Sequence, residues 1–160
     1  DWDYSPIRLY EPPALDFNNA YEVKTESKDT IEKVSEKYYD AMARKRLQLL
    51  PNFFALPANL IGLYGYRPIL DAAGLVNTYQ QLLDEWESQG ISPKIGHDPS
   101  SYDVQKIQAN FVFIRNTLTN YDFSGKEIKR WNCSYTIVEA DGVWKNLCAT
   151  SDNASSFQKK

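Results

Sequence analysis

Few side chains in this sequence could perform acid–base or metal chemistry. The 160 residues include one histidine, His97, and two cysteines, Cys133 and Cys148. His97 is followed by Asp98 and nearby serines, but a Ser/His/Asp triad needs groups that converge from separate parts of a fold, so a turn histidine is the simpler interpretation. With one histidine and no cysteine cluster, the sequence predicts neither a metal site nor a cofactor.

Composition excludes several classes of partner. The chain is 42% hydrophobic and carries a net charge of −3, which suits one domain with a buried core and argues against nucleic acid as the main partner. No apolar run approaches the roughly 20 residues that span a bilayer, so no membrane partner is expected. No signal peptide is visible, and a cytoplasmic location is favoured, with the compartment left open.

Two helices are expected to position the chemistry. The first runs over about residues 30–46, with Asp29 as its cap and with Tyr38 on its apolar face. The second runs over 72–88, with Asp71 as its cap and Gly90 ending it. A strand at 59–63 and a turn at 65–68 separate the helices, loop residues follow the second one, and alternating strands fill 102–151. This order is typical of an α+β fold.

The sequence divides into three parts. Residues 1–26 combine prolines with aromatic residues and predict an extended arm that packs on the domain or on a partner. Residues 27–153 form the domain, and residues 154–160 form a C-terminal tail.

The hairpins predict which side chains share one face of the sheet. A two-residue turn at Asp141-Gly142 pairs Tyr135 with Cys148, and Cys133 with Thr150. Cys133 and Cys148 are then diagonal, which favours two free thiols. The predicted face carries Trp131, Cys133, Tyr135, Ile137, Asn146, Cys148 and Thr150.

Two further turns extend this face. A turn at Ser124-Gly125 adds Asn116, and one at Ala109-Asn110 adds Asp103 unless a bulge reverses the alternation. A concave face that mixes polar and apolar groups is typical of a small-molecule pocket, and a core with satisfied polar groups is the alternative.

Three stretches of sequence resemble the NTF2-like superfamily, specifically its SnoaL-like and ketosteroid-isomerase-like branch. The first is KYYDAMARK at 37–45 with NFFALPA at 52–58, and the second is GYRPILD at 65–71. The third is RWNCSYTIV at 130–138 with DGVWK at 141–145. Together they span about residues 29–153 and leave the arm outside. The resemblance implies a cone in which helices pack in a curved antiparallel sheet, and a homodimer formed through the outer sheet face.

The resemblance also suggests roles for individual residues. Ketosteroid-isomerase-like enzymes use a tyrosine of the first helix as an oxyanion donor, and Tyr38 matches that position. Their carboxylate base falls near Gly62 here, and their second carboxylic acid falls near Cys133, so two of the three groups are missing. Tyr38 remains as the candidate donor and Asp103 as the candidate base.

Two functions follow from this resemblance. One is a small-molecule-binding protein, with a small hydrophobic molecule in the pocket, that acts as a cofactor-independent isomerase, cyclase or dehydratase on a hydrophobic carbonyl or polycyclic substrate. The other is a non-catalytic module whose sheet face and arm mediate protein interaction or dimerisation. Fold alone does not decide between them.

Overall fold

A computed structural model describes residues 25–62, 65–140 and 142–151 of the chain. The predicted arm lies outside these residues except for Thr25 and Glu26, which already belong to the first helix. The predicted tail at 154–160 also lies outside them.

Two α-helices and two short 3-10 helices form the helical part of the described chain. Helix α1 spans Thr25–Ala43 and helix α2 spans Ala72–Ser88, while the 3-10 helices span Leu47–Phe53 and Pro99–Ser101. The prediction for α1 was wrong at both ends, since the helix begins before Asp29, its predicted cap, and ends before residue 46. The predicted cap of α2 is confirmed, since the Asp71 carboxylate accepts a hydrogen bond from the backbone N–H of Gly74 at 2.7 Å.

Seven strands make one curved sheet within the described residues. They are β1 (Phe54–Gly62), β2 (Gly65–Ile69), β3 (Ile91–His97), β4 (Asp103–Gln108), β5 (Phe111–Asp122), β6 (Glu127–Ala140) and β7 (Val143–Ser151). The order across the sheet is β2-β1-β7-β6-β5-β3, and β4 also pairs with β5. Because β1 runs parallel to β7, the sheet is mixed and not wholly antiparallel as predicted.

Two strands replace segments that the sequence predicted as turn or loop. Strand β2 is an edge strand, a position that tolerates Pro68 because one side of an edge needs no backbone donor. Strand β3 pairs with β5 and packs against both helices, and such tertiary contacts override weak local preference.

Two bulges change the predicted alternation of side chains. Between β6 and β7 the register shifts beside Ile137, so Tyr135 lies opposite Ala149 and not opposite Cys148 as predicted. Between β4 and β5 a second shift places Asp103 opposite Arg115. One extra residue on one strand reverses which face each following side chain occupies.

The concave face of the sheet holds the core under the two helices. Alternate residues of β5, from Val112 to Asn120, are buried there, and Asn116 is among them as predicted. The apolar ones pack with apolar residues of α1 and α2. No helix among the described residues is long and apolar enough to cross a membrane.

Candidate functional site

A pocket opens between the two helices and the concave face of the sheet. It contains about 670 Å³ of empty space, part of it open to solvent. Most of its wall is aliphatic or aromatic, with Met42 from α1, Leu82 from α2 and Leu118 from β5 as examples. An apolar wall with a few polar groups is the usual construction of a small-molecule site.

Two of the lining residues, Tyr38 and Tyr79, form a hydrogen-bonded pair of hydroxyl groups. Tyr38 of α1 donates to the hydroxyl oxygen of Tyr79 of α2 at 2.7 Å, and both side chains are buried. Burial raises the pKa of each phenol well above the usual value, so both stay protonated at physiological pH. Because Tyr38 donates its hydroxyl proton in this bond, the proton of the Tyr79 hydroxyl remains for a second acceptor.

A chain of hydrogen bonds supports the pocket wall from behind. Asn116 is 2% exposed and donates through Nδ2 to the Tyr39 hydroxyl at 3.1 Å. Tyr39 in turn donates to the hydroxyl of Tyr135, a residue of the wall, at 3.1 Å. The Ser101 hydroxyl donates to Oδ1 of Asn116 at 3.2 Å. Each polar group is therefore satisfied, and the network fixes the ring of Tyr135.

Two tryptophans in the wall differ in their hydrogen bonding. Trp131 of β6 donates its indole N–H to Oδ1 of Asn120 at 2.7 Å. Trp86 of α2 is 1% exposed, and its indole nitrogen has no hydrogen-bond partner among the described residues. A buried donor without a partner costs about 1–3 kcal/mol, so it is an unusual feature of this wall.

Most of the predicted site residues lie at or next to the pocket. Those that line it are Tyr38, Trp131, Cys133, Tyr135 and Thr150. Asn116 is buried behind the wall, as described above. Asn146 is also buried at 2% exposure, but it is not one of the lining residues.

Two predicted residues lie away from the pocket, and both displacements follow from the bulges. Asp103 is exposed opposite Arg115, so its predicted position on the concave face is wrong. Cys148 lies opposite Thr136 and does not line the pocket. The prediction of two free thiols is confirmed, because neither Cys133 nor Cys148 forms a disulfide.

Sequence reasoning missed several lining residues. Tyr79 and Trp86 belong to the buried stripe that periodicity already assigned to α2, but nothing local distinguished core from pocket wall. Ala149 and Ser151 were missed because the β7 bulge moved them to the concave side.

The chemistry available in the pocket is mainly hydrogen-bond donation. Among the lining residues that the structure describes, none is Asp, Glu or His. The polar groups are hydroxyls, the Cys133 thiol, the indole N–H groups of Trp86 and Trp131, and Arg67. The Arg67 guanidinium donates to Gln81 Oε1 at 3.2 Å. Such a set can orient an oxygen acceptor, and it offers no carboxylate or imidazole as a base.

Comparison with known proteins identifies the architecture. No protein-family model and no curated protein matches the sequence. Solved structures do match, including a protein of unknown function with a cystatin-like fold from Nostoc punctiforme PCC 73102. It has a TM-score of 0.68 and 14% identity over 81% of this chain and 92% of the other.

Two further structures carry more informative descriptions. An NTF2-like protein with a cystatin-like fold from Novosphingobium aromaticivorans has a TM-score of 0.64 and 12% identity, over 82% of this chain and 86% of the other. The chain has the NTF2-like fold. A ketosteroid isomerase-like protein from Erwinia carotovora atroseptica also matches, with a TM-score of 0.59 and 14% identity, over 81% of this chain and 99% of the other. At such identities the NTF2-like architecture is shared, and the site must be argued from its own residues.

Proposed function

We propose that this NTF2-like domain binds a small hydrophobic molecule that carries a hydrogen-bond acceptor, such as a carbonyl oxygen. The observation that carries the proposal is the hydrogen-bonded pair of Tyr38 and Tyr79, two lining residues of an otherwise mainly apolar pocket. The apolar wall favours burial of a ring system, and the spare hydroxyl proton favours an acceptor over a plain hydrocarbon.

Binding is better supported by this geometry than an isomerase, cyclase or dehydratase activity. Those reactions need a base within hydrogen-bond reach of the substrate. The carboxylate considered for this role, Asp103, lies on the opposite side of the sheet from the pocket. The buried phenols of Tyr38 and Tyr79 have raised pKa values, which keeps them protonated and suits them to donate.

A matched pair of ligands tests the proposal. Calorimetric titration with 2-acetylnaphthalene and with 2-ethylnaphthalene compares a carbonyl with a methylene group on the same ring system. We expect the ketone to bind about three- to tenfold more tightly, which corresponds to one net hydrogen bond of roughly 0.5–1.5 kcal/mol.

Two variants assign that preference to the hydroxyl pair. Tyr38→Phe combined with Tyr79→Phe should abolish the preference for the ketone and keep the fold, since both partners become apolar groups of similar shape. Tyr102→Phe is the control, because its hydroxyl contacts Ser35 and lies outside the pocket lining. Equal affinity of the parent for both ligands would contradict the hydroxyl pair as the acceptor site.

The homodimer through the outer sheet face is a second, separate proposal. It is supported by Phe111 and Phe113, which are half-buried on the side of β5 opposite the core. Sedimentation of the full chain at increasing concentration should give a dimer that Phe113→Lys weakens. A monomer throughout would exclude this assembly.

A further inference from the structure

We propose that Glu32, Glu36 and His97 bind one divalent transition-metal ion, at a place where α1 packs against β3. Glu32 and Glu36 lie one turn apart on α1, and His97 is the last residue of β3. One potential ligand atom from each residue lies within 4.8 Å of the other two. The histidine is more than sixty positions from the glutamates in sequence, which explains why sequence reasoning predicted no metal site.

The imidazole of His97 is held in a defined orientation. Its Nδ1 lies 3.5 Å from the side-chain nitrogen of the buried Asn116, and its ring packs near the rings of Tyr39 and Tyr102 at centroid distances of 6.0 and 5.9 Å. With Nδ1 directed at Asn116, Nε2 is the nitrogen available to a metal. Histidine ligands are commonly fixed in this way through their second nitrogen.

Asn116 can support the protonation state that a metal requires. Metal binding at Nε2 puts the imidazole proton on Nδ1, so the Asn116 amide must then present its oxygen to the ring. With the amide turned, the Tyr39 hydroxyl donates to the Asn116 oxygen and its hydrogen bond with Tyr135 reverses, so that Tyr135 becomes the donor. The Ser101 hydroxyl then accepts from the Asn116 nitrogen and keeps its bond to the Asp98 carbonyl oxygen. The network therefore accommodates either orientation of the amide.

The two carboxylates have no neutralising partner in the part of the chain that the structure describes. Neither Glu32 nor Glu36 forms an ion pair or a hydrogen bond with another described residue, although Glu32 is half-buried. Like charges at this helical spacing repel by about 0.2–0.5 kcal/mol. A divalent cation would remove the repulsion, because two carboxylates and one neutral imidazole balance its charge.

The ligand types select the class of metal. Imidazole suits zinc and its first-row neighbours, and two carboxylates with one histidine leave a fourth tetrahedral position for water. Bond lengths of about 2.0–2.2 Å put neighbouring ligand atoms roughly 3.3 Å apart. The long glutamate side chains can close the remaining gap by rotation of their side-chain bonds.

This site is independent of the proposed ligand pocket, because none of its three residues lines that pocket. Failure of one proposal therefore leaves the other unaffected.

Metal titration tests the site directly. The full chain, without a polyhistidine tag and stripped with EDTA, is titrated calorimetrically with zinc chloride and followed by visible absorption with cobalt chloride. We expect one equivalent to bind, and Glu36→Gln or His97→Gln to weaken zinc binding by about tenfold or more. His97→Gln should also change the cobalt spectrum, because the imidazole is lost as a ligand.

A charge-matched control separates coordination from general attraction of cations. Asp84→Asn removes one negative charge from α2 at an exposed position outside the cluster, and it should bind zinc as the parent does. Circular dichroism of the metal-free variants checks that each is folded. Absence of zinc binding by the folded parent, or equal zinc affinity of the parent, His97→Gln and Glu36→Gln, would overturn the proposal.

Discussion

Four tyrosine phenols are buried in or beside the pocket, and their burial makes the stability of the protein depend on pH. Burial is the first cause that raises the pKa values of Tyr38, Tyr39, Tyr79 and Tyr135. In the unfolded chain a tyrosine ionises near pH 10. Below that pH both states are protonated, and above it the unfolded state loses protons first, so the free energy of unfolding falls as pH rises.

The prediction is that the protein unfolds in alkali and that these phenols ionise only as it does so. Circular dichroism and the ultraviolet absorbance of tyrosinate, recorded together above about pH 10, should show ionisation of the buried group coinciding with loss of structure. The variant with Tyr38→Phe and Tyr79→Phe should show a smaller absorbance step at unfolding. Complete ionisation of all tyrosines with native circular dichroism would contradict the assignment.

The position of an individual side chain was predictable where the local sequence pattern determined which face of its helix or strand it occupies. Tyr38 follows from helical periodicity, and Trp131, Cys133 and Tyr135 follow from strand alternation, so all four line the pocket as expected. The partner of Tyr38 was not predictable, because Tyr79 comes from another helix and the pair exists only after the helices pack. Substrate-binding roles for these residues remain predictions.

At the scale of elements, the junction of β1 with β7 depends on Gly62. Its φ of 110° is one that other residues rarely adopt, and a Cβ there would collide with the carbonyl oxygen of Ser151. Ser151 lines the pocket, so this close approach of two backbones also shapes the pocket.

Gly62→Ala should therefore destabilise the protein more than the same substitution at another glycine with a positive φ. Gly125 has a φ of 86° in the β5–β6 turn, with nothing near its hypothetical Cβ. We expect Gly125→Ala to cost about 1–2 kcal/mol from backbone conformation alone, and Gly62→Ala to cost roughly 1–3 kcal/mol more. Urea unfolding measures both, and equal costs would exclude the steric role of Gly62.

Helix α2 was easier to predict than helix α1 or the strand registers. Helix α2 has a cap, a stripe and a terminating glycine in its own sequence, so its bounds were correct. Strand faces were correct along β5 and β6, where turn residues fixed the pairing. They failed for Asp103 and Cys148, because a bulge is a tertiary adjustment of the sheet that leaves no reliable local signal.

At the scale of the whole molecule, the curved sheet and its two α-helices form the cavity in which we propose that a ligand binds. The resemblance in sequence predicted this cone, and its mixed sheet differs from the expected antiparallel one only through the parallel β1–β7 pair. The cavity itself depends on how far α1 and α2 stand from the sheet, which no single segment of sequence determines.

A variant that fills the cavity tests whether the ligand binds there. Ala149 of β7 lines the pocket, whereas Thr136 of β6 is half-buried on the opposite face of the sheet. Ala149→Phe therefore adds a phenyl ring inside the pocket, and Thr136→Phe adds one outside it. Thermal melting verifies that both variants fold. In calorimetric titration with 2-acetylnaphthalene, we expect Ala149→Phe to lose at least about tenfold in affinity, because the new side chain occupies apolar area that the ligand would bury. We expect Thr136→Phe to bind like the parent. Unchanged affinity of a folded Ala149→Phe variant would show that the ligand does not bind in this cavity.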